Sequence, residues 1–235
     1  MAWRSHGRDN ETLVEALTRN KILRTPAVAE AMRAVDRGLF APPGIRPGSM
    51  YEDAPQPIGF SATISAPHMH AHCLELLRTH LAPGMAVLDI GSGSGYLLAV
   101  MAHMVGPTGK AVGVEHVPEL VERSSDALSK MPEMCEMAAA GSLQVVCGDG
   151  FKGYPPGGPY DAIHVGAAAP HVPAALAEQL KPGGRMIIPV GREGEAQDLV
   201  EVEKDSGGTL RQRSRMGVVY VPLTTLQHQT GRTWR

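Results

Sequence analysis

Apolar residues follow two patterns along this chain, and the two patterns alternate. Short, nearly continuous apolar runs bounded by Gly, Pro or Asp are typical of buried parallel strands. Five such runs predict strands at residues 86–90, 110–115, 143–147, 160–165 and 185–190. Because strands that alternate with helices form parallel sheets covered on both faces, we expect an α/β fold with a doubly wound, mostly parallel sheet.

The second pattern spaces apolar residues three or four positions apart, which predicts amphipathic helices. A helix over residues 10–20 places Leu13 and Leu17 on one side, and a second helix starts at Pro26, where Thr25 can cap it. Further helices are predicted at residues 68–81, 96–105, 118–130 and 172–180. The first two helices precede the alternating region, so they form a separate N-terminal segment of the fold.

Three stretches fit neither pattern. Residues 40–61 are too rich in Pro and Gly for a regular element, and loops of this length are usually functional. Residues 132–142 are interpreted as an extension of the connection before the third strand, while 199–204 and 218–223 are predicted to pair as strands around a glycine turn at 207–208. The chain is expected to be one domain over 1–235, made of a helical segment at 1–80, an α/β core at 81–195 and C-terminal strands with a tail at 196–235.

Composition excludes several classes of partner. The 235 residues carry 22 basic and 24 acidic side chains, and a net charge of −2 favours neither nucleic acid nor an anionic membrane surface. Cys73, Cys135 and Cys147 are odd in number and far apart, which predicts reduced thiols in the cytosol. We find no apolar run long enough to span a membrane and no secretory signal, so we expect a cytosolic protein.

The histidines predict no metal site. His68, His70 and His72 alternate in sequence, but residues two apart on a helix do not share a face, and no acidic cluster lies nearby. His164 falls in the middle of a predicted strand and is interpreted as a hydrogen-bonded core histidine.

The clearest chemical signal is a glycine loop between the strand at 86–90 and the helix at 96–105. Gly91, Ser92, Gly93, Ser94 and Gly95 form a GxGxG pattern, in which glycine allows a sharp turn and close approach of a ligand. The N-terminus of the following helix favours a carboxylate. A dinucleotide site would instead require GxGxxG to make room for a pyrophosphate, so a nicotinamide-dependent oxidoreductase is disfavoured.

Three acidic residues end three successive predicted strands. Asp89 precedes the glycine loop, where it suits a ligand that carries an ammonium or sulfonium cation. Glu115 lies about 20 residues beyond the loop, where an acid can accept bonds from ribose hydroxyls. Asp149 could meet an adenine amino group. S-Adenosylmethionine has all of these groups, so this constellation predicts a methyltransferase.

The chain resembles the protein-L-isoaspartate (D-aspartate) O-methyltransferase family. The segments that carry the resemblance are MAWRS, QPIGFSATISAPHMHA, LDIGSGSGYL, CGDG, PYDAIHVGAAAP, QLKPGGRMIIPVG and MGVVYVPLT. They extend from residue 1 to about residue 225, and the opening MAWRS and closing RTWR are similar to the eukaryotic cytosolic branch. The resemblance implies a class I methyltransferase-like Rossmann fold with N-terminal helices and a C-terminal β extension.

The resemblance also implies an activity and a set of site residues. A methyl group passes from S-adenosylmethionine to the free carboxylate of L-isoaspartyl and, less well, D-aspartyl residues, leaving S-adenosylhomocysteine and an ester that closes to a succinimide. Ser65 matches the active-site serine. The residues expected to contact the donor are Ala62, Thr63, Ile64, Ser65, His70, Asp89, Gly91, Ser92, Gly93, Gly95, Glu115, His116, Asp149, Gly150 and Thr224. The implied partners are damaged peptides and proteins, bound by a monomer.

The chemistry of this acceptor agrees with the residues present. A carboxylate is already ionised at neutral pH and needs no general base. Ser65 is therefore expected to orient the carboxylate by a hydrogen bond, although it could instead only cap the helix that starts near Pro67. Backbone groups near 219–221 are expected to bind the substrate peptide as an added strand. Residues 167–169 either keep a strand-end loop close to the donor or form a plain tight turn.

Two departures and two alternatives remain open. Many relatives have Asp at the position of Glu115, and the stretches at 42–50 and 132–142 look longer than usual. A methyltransferase for another acceptor, or a non-catalytic protein that binds isoaspartyl residues, would carry a similar donor site. Incorporation of a base-labile methyl ester into an isoaspartyl peptide would distinguish them.

Overall fold

The structure is a computed structural model that describes residues 5–46 and 48–231. The helices of the described residues are α1 Asn10–Arg19, α2 Pro26–Ala34, α3 Pro67–Leu77, α4 Tyr96–Val105, α5 Pro118–Leu128, α6 Pro132–Ala139, α7 Ala174–Gln179 and α8 Leu226–Thr230. The strands are β1 Gln56–Gly59, β2 Ala62–Ile64, β3 Ala86–Ile90, β4 Lys110–Glu115, β5 Leu143–Cys147, β6 Tyr160–Val165, β7 Leu180–Val190, β8 Gln197–Lys204 and β9 Leu210–Val218.

The central sheet, counted over the described residues, has seven strands in the order β5-β4-β3-β6-β7-β8-β9. Strands β3 to β7 are parallel, and β8 and β9 are added antiparallel at one edge. The chain winds from β3 outward to β5 and then crosses back to β6, so the winding direction reverses between β3 and β6. This strand order confirms the predicted doubly wound fold. Ligands of such sheets bind outside the carboxyl ends of the strands at the reversal, so a site is expected at the ends of β3 and β6.

The apolar runs form strands because both faces of the sheet are covered. Neighbouring residues of a strand point to opposite faces, and in β3 Val87 belongs to one buried cluster while Leu88 and Ile90 belong to the other. The first cluster includes the apolar sides of α1, α2, α4 and α5, and the second includes the side of α7. The five predicted core strands are confirmed, with the fifth starting at Leu180 rather than residue 185.

The N-terminal helices are attached to the core by polar side chains as well as by packing. Asp9 and Thr12 form a capping box that starts α1. The side-chain amide of Asn10 donates to the carbonyl oxygens of Met32 and Arg33 at the end of α2, at 2.9 and 3.1 Å. These bonds satisfy helix-end carbonyls that would otherwise lack partners, so they fix the angle between α1 and α2.

The predicted strand at 218–223 is wrong. Strand β8 pairs instead with β9, Leu210–Val218, and the connecting turn spans residues 205–209. Beyond Val218 the amide and carbonyl of Tyr220 bond to the side chain of Gln197, at 2.7 and 3.2 Å, and only one isolated bridge, between Ala168 and Pro222, follows. The polar side chain satisfies backbone groups that a strand partner would have taken, so the segment leaves the sheet.

Two other sequence interpretations are corrected. The stretch at 132–142 contains a helix, α6, which begins at a proline in its first turn and buries Met134 and Met137. The loop at 40–61 contains the short strand β1 and a 3₁₀ turn at Ser49–Tyr51.

Two predicted helix caps are also absent. Thr25 makes no capping bond, because its hydroxyl donates to Glu75, and Ala66 rather than Ser65 is the N-cap of α3. Within the described parts of the chain, no helix is both long and apolar enough to cross a bilayer.

Candidate functional site

The glycine loop turns sharply between β3 and α4. Gly91, Gly93 and Gly95 have φ values of 68°, 52° and 83°, which lie in the left-handed region that favours glycine. The amides of Gly91 and Ser92 donate to the carbonyl oxygen of Val114 at the end of β4, at 2.8 and 3.1 Å. A Cβ atom at Gly95 would come within 2.9 Å of Ser124 on α5. The loop is therefore pressed onto the neighbouring strand and helix, with its backbone open toward the sheet edge.

Glu115 holds the loop from the end of β4. Its Oε2 atom accepts a bond from the Gly93 amide at 3.0 Å, and Oε1 accepts bonds from the amides of His116 and Val117 at 2.8 and 3.0 Å. The carboxylate is 6% exposed. Because each carboxylate oxygen can accept two bonds, Oε2 retains capacity for one further hydroxyl donor.

A small cavity opens at this edge of the sheet, between the ends of β3 and β6, where the winding reverses. Its volume is about 60 Å³. The predicted donor-site residues that line it are Ala62, Thr63, Gly91, Gly93, Glu115, His116, Gly150 and Thr224. This volume is smaller than the roughly 300–1,000 Å³ of typical ligand sites.

The other predicted donor-site residues lie behind the cavity wall or in the adjoining acceptor region. Ile64 is buried in the core, and the hydroxyl of Ser92 is buried without a partner among the described residues. Asp149 accepts a bond from the amide of Phe151 at 3.0 Å and so caps a 3₁₀ turn. These three residues are not among those that line the cavity.

Asp89 and His164 form a buried pair beneath the cavity. Oδ1 of Asp89 lies 2.7 Å from Nδ1 of His164, and the two residues are 2% and 5% exposed. Burial disfavours the imidazolium, but the bonds to Asp89 and Cys73 and the charge of Asp89 outweigh it and raise the pKa of His164 to about 10. His164 is thus the hydrogen-bonded core histidine that was predicted, and the carboxylate of Asp89 is engaged by a cation of the protein itself.

The roof of the cavity contains a residue that gave no sequence signal. Gln229 of α8 donates from Nε2 to the carbonyl oxygen of Phe60 at 2.7 Å, and its Oε1 lies 2.7 Å from Nε2 of His116. Since the amide oxygen can only accept, His116 carries its proton on Nε2. Phe60 and Ser61 have φ values of 53° and 56°, a conformation that costs non-glycine residues free energy. The C-terminal helix therefore closes the cavity against a strained turn.

A larger cavity of about 760 Å³ adjoins the first and contains Ser65. The residues that line both cavities are Thr63, Gly166, Val221 and Pro222. The backbone at Gly166 lies close to the glycine loop. A Cβ atom at this position would be 3.1 Å from the carbonyl oxygen of Gly91. The glycine at the end of β6 stands in the PYDAIHVGAAAP segment, which could have indicated it.

The acceptor wall ends in an exposed segment after β9. The side chain of Val219 is exposed (95%), whereas Tyr220 is held by Gln197 on its backbone and lies next to Ser65 and Cys73. Burial raises the pKa of Tyr220 far above its usual value, the nearby Cys73 adds to this, and a hydrogen bond with Ser65 opposes it. The Tyr220 phenol is therefore neutral and contacts Ser65 directly.

Arg37 supports the acceptor wall from behind and was not predicted from the sequence. Its side chain is fully buried and donates to the carbonyl oxygens of Met50 and Ser65, at 2.8 and 2.7 Å, and to Nδ1 of His70 at 3.1 Å. Its guanidinium also lies 5.2 Å from the ring centre of Tyr96. Burial lowers the pKa of Arg37 to about 10, so the cation persists at neutral pH.

His70 is therefore neutral, with its proton on Nε2. A guanidinium can only donate, so Nδ1 of His70 must accept. Burial, followed by the charge of Arg37, holds the pKa of His70 well below 6.5. The two buried histidines beside the site, His70 and His164, are thus both engaged, one by Arg37 and the other by Asp89. Within the described ranges, no three His, Cys, Asp or Glu side chains lie together as metal ligands would.

Comparison with known proteins agrees with this geometry. Residues 8–228 match the family model described as protein-L-isoaspartate(D-aspartate) O-methyltransferase. The chain is 53% identical over 220 residues to a Triticum aestivum protein-L-isoaspartate O-methyltransferase, covering 94% of this chain and 93% of the relative. It is 46% identical over 232 residues to the Caenorhabditis elegans enzyme of that name, covering 99% and 100%.

A solved structure is similar over most of both chains. A Plasmodium falciparum chain described as a protein-L-isoaspartate O-methyltransferase, in complex with S-adenosyl-L-homocysteine, has a TM-score of 0.83 and 31% identity, covering 93% of this chain and 99% of that one. The segments MAWRS and RTWR, which suggested the eukaryotic branch, lie mostly or wholly outside the described residues.

Proposed function

The chain belongs to the protein-L-isoaspartate(D-aspartate) O-methyltransferase family, and we propose the role of each of its site residues. As a member of this family it is an S-adenosylmethionine-dependent protein carboxyl O-methyltransferase that acts on isoaspartyl residues. The observation that carries the proposal is the junction of the two cavities. The wall formed by Thr63, Gly166, Val221 and Pro222 is common to both, so a donor in one cavity and a carboxylate in the other would face each other.

The smaller cavity suits the donor. Gly91 and Gly93 form a cradle without side chains, and a Cβ atom at Gly150 would come within 2.9 Å of Ile90 and 3.0 Å of Leu223. Glu115 offers its remaining acceptor position to a ribose hydroxyl. When bound, S-adenosylmethionine supplies an electrophilic methyl group on a positively charged sulfur. Thr224, Ala62 and His116 complete the wall, and Gln229 closes it.

The larger cavity suits a carboxylate that is already ionised. Ser65 lies in its wall and can donate its hydroxyl hydrogen to a carboxylate oxygen. A nucleophilic serine would need a base bonded to its hydroxyl, but the side chain that bonds to Ser65 is the neutral phenol of Tyr220. The histidines around the cavity have other partners, namely Asp53 for His68, Arg37 for His70 and Asp89 for His164. Ser65 therefore orients the substrate and does not attack it. Alignment of the reacting atoms could supply up to about 7–11 kcal/mol.

The peptide backbone is expected to bind beside residues 219–221. Among the described residues, the backbone groups of Tyr220 bond to Gln197, and the carbonyl oxygen of Val221 accepts from Ala168. The backbone of Val219 lies in the acceptor wall and has no such partner among the described residues, so it is available to an extended peptide.

Methyl transfer to an isoaspartyl peptide is the direct test. The chain, a peptide with a single isoaspartyl residue and S-adenosylmethionine with a labelled methyl group should yield a base-labile methyl ester, and the matched aspartyl peptide should yield none. An ester on both peptides, or on neither, would favour the alternative acceptor or the non-catalytic binding protein. Ser65→Ala should lower kcat while donor affinity is unchanged.

Four wider properties are part of the same proposal. We propose that the ester closes to a succinimide, that D-aspartyl residues are poorer substrates, that the whole chain is one monomeric domain, and that it works in the cytosol without nucleic acid or membrane. The three free cysteines support the cytosol, and the small net charge supports the absence of nucleic acid and membrane. Light scattering of the purified chain tests the monomer, since a mass other than 25.0 kDa would contradict it.

A further inference from the structure

A third cavity adjoins the acceptor cavity on the side away from the donor. Its volume is about 470 Å³, within the range of roughly 300–1,000 Å³ that is typical of ligand sites. The connection between α1 and α2 forms one wall and α3 forms the other. His68, Met69 and Met216 line both this cavity and the acceptor cavity, so the two are continuous neighbours. A peptide whose isoaspartyl residue lies near Ser65 can therefore place a flanking residue here.

Three cations line the third cavity without an acidic partner. Lys21, Arg24 and Arg78 are exposed, and none of their charged side-chain groups forms an ion pair with a carboxylate among the described residues. Nε of Arg24 donates to the carbonyl oxygen of Lys21 at 2.9 Å, and Arg78 donates to the carbonyl oxygen of Glu75 at 2.6 Å. Carbonyl oxygens are neutral, so these bonds orient the guanidinium groups and leave their positive charge uncompensated.

The single acid of this cavity is already occupied. Oε1 of Glu75 accepts bonds from the amides of Arg24 and Thr25 at 2.7 and 2.8 Å, and Oε2 accepts from the hydroxyl of Thr25 at 2.7 Å. Glu75 is 9% exposed and faces the start of α2. Three cations and one anion leave the cavity with a net positive charge, which favours an anionic ligand.

His72 adds an unpaired polar atom to the same wall. Its Nε2 atom is buried and has no hydrogen-bond partner among the described residues. Burial, followed by the charges of Arg24 and Arg215, lowers the pKa of His72 below 6.5, so the ring is neutral at pH 7. Because His72 lines the cavity, a turn of its ring toward a bound acceptor would let Nε2 donate a hydrogen bond, and this bond would remove the cost of the unpaired atom.

We propose that this basic cavity, lined by Lys21, Arg24, Arg78 and His72, binds an acidic side chain that flanks the isoaspartyl residue of the substrate. The proposal rests on the proposed function, because it requires the isoaspartyl carboxylate to lie near Ser65. Carboxylate is the chemistry that both the cations and the imidazole would recognise. An extended chain advances about 3.3 Å per residue, so the acidic residue is expected within three positions of the damaged residue.

Matched peptides test the proposal. Isoaspartyl peptides with glutamate at each of the three positions on either side are compared with the same peptides carrying glutamine. For glutamate at one or two positions on one side, the wild-type chain should show a KM roughly fivefold lower than for glutamine, with kcat unchanged. This ratio should shrink as the salt concentration rises, since ionic strength screens exposed charges.

Variants locate the effect in the third cavity. Arg24→Gln and Lys21→Gln should each bring the ratio of the two KM values toward one and leave kcat on the glutamine peptide unchanged, while Arg24→Lys should keep most of the ratio. Lys130→Gln is the matched control, because Lys130 is an exposed cation without an acidic partner among the described residues and lines a different cavity. An effect as large in Lys130→Gln would overturn the proposal.

The outcomes separate this proposal from the activity itself. If the glutamine peptides are not methylated, the proposed function fails. If glutamine and glutamate peptides are methylated with equal KM at every position, only the acidic subsite fails. Free acetate, added at constant ionic strength, distinguishes a site for a small anion. A change in the KM of the glutamine peptides with acetate, without any preference for glutamate, would overturn the peptide subsite.

Discussion

Replacement of the buried Arg37 by methionine should weaken both the fold and the acceptor site. Methionine keeps the length and apolar stem of the side chain but removes three hydrogen-bond donors. The carbonyl oxygens of Met50 and Ser65 and Nδ1 of His70 then lose a charged partner. Bonds to charged groups contribute about 1.5–3 kcal/mol each, so the three together contribute about 4.5–9 kcal/mol.

Part of this loss is recovered because the variant no longer buries a cation. Burial lowers the pKa of Arg37 from 12.5 to about 10, which corresponds to a cost of about 3 kcal/mol for the charged form. The expected decrease in the free energy of unfolding is therefore about 1.5–6 kcal/mol. Urea denaturation measures it, with the slope of the transition as a check that the same surface unfolds.

Activity should change as well, because the bond from Arg37 holds the carbonyl oxygen of Ser65 in the acceptor wall. We expect a lower kcat for the isoaspartyl peptide at temperatures where the variant is folded, with donor affinity nearly unchanged. Arg33→Met is the control, since Arg33 is partly exposed and makes one ion pair, with Glu11 at 2.9 Å. That variant should stay within about 1 kcal/mol of wild type. If Arg37→Met unfolds within 1 kcal/mol of wild type and retains full kcat, the bonding argument is refuted.

Two further variants test the donor site, and a third tests the buried pair beneath it. Glu115→Ala should weaken donor binding by about 1–3 kcal/mol through loss of a charge-assisted bond, and unchanged affinity by calorimetry would remove Glu115 from the ribose site. Gln229→Ala should accelerate donor release roughly fivefold in stopped-flow measurements, because two bonds that close the roof are lost; an unchanged rate would mean that α8 does not gate the cavity. His164 has its pKa raised to about 10 in the fold, so the folded state binds more protons than the unfolded state between about pH 6.5 and 10. The free energy of unfolding should therefore fall as pH rises through this window, and His164→Gln should flatten that dependence; an equal slope in both proteins would show that His164 is not charged.

Local sequence patterns were sufficient for the elements of the core. The apolar runs at 86–90 and 160–165 form strands in which both faces are buried. Continuous apolar runs of this kind are typical of parallel sheets covered by helices on both faces. The glycines at 91, 93 and 95 adopt left-handed conformations that the loop requires, so their positions alone indicated a turn open to a ligand.

The tertiary structure decided which side chains meet. Asp89 lies at the end of a strand just as Glu115 does, yet in the fold Asp89 bonds to His164, because β3 and β6 become neighbours only when the chain reverses its winding. The strand predicted at 218–223 failed for the same kind of reason, since the side chain of Gln197 bonds to the backbone there. Arg37 and Gln229 stand in segments without any motif, and their roles depend on partners 28 and 169 residues away. Backbone conformation is set by neighbours along the chain, so a sequence can reveal it, whereas pairing of distant side chains is set by packing and appears only in the folded molecule.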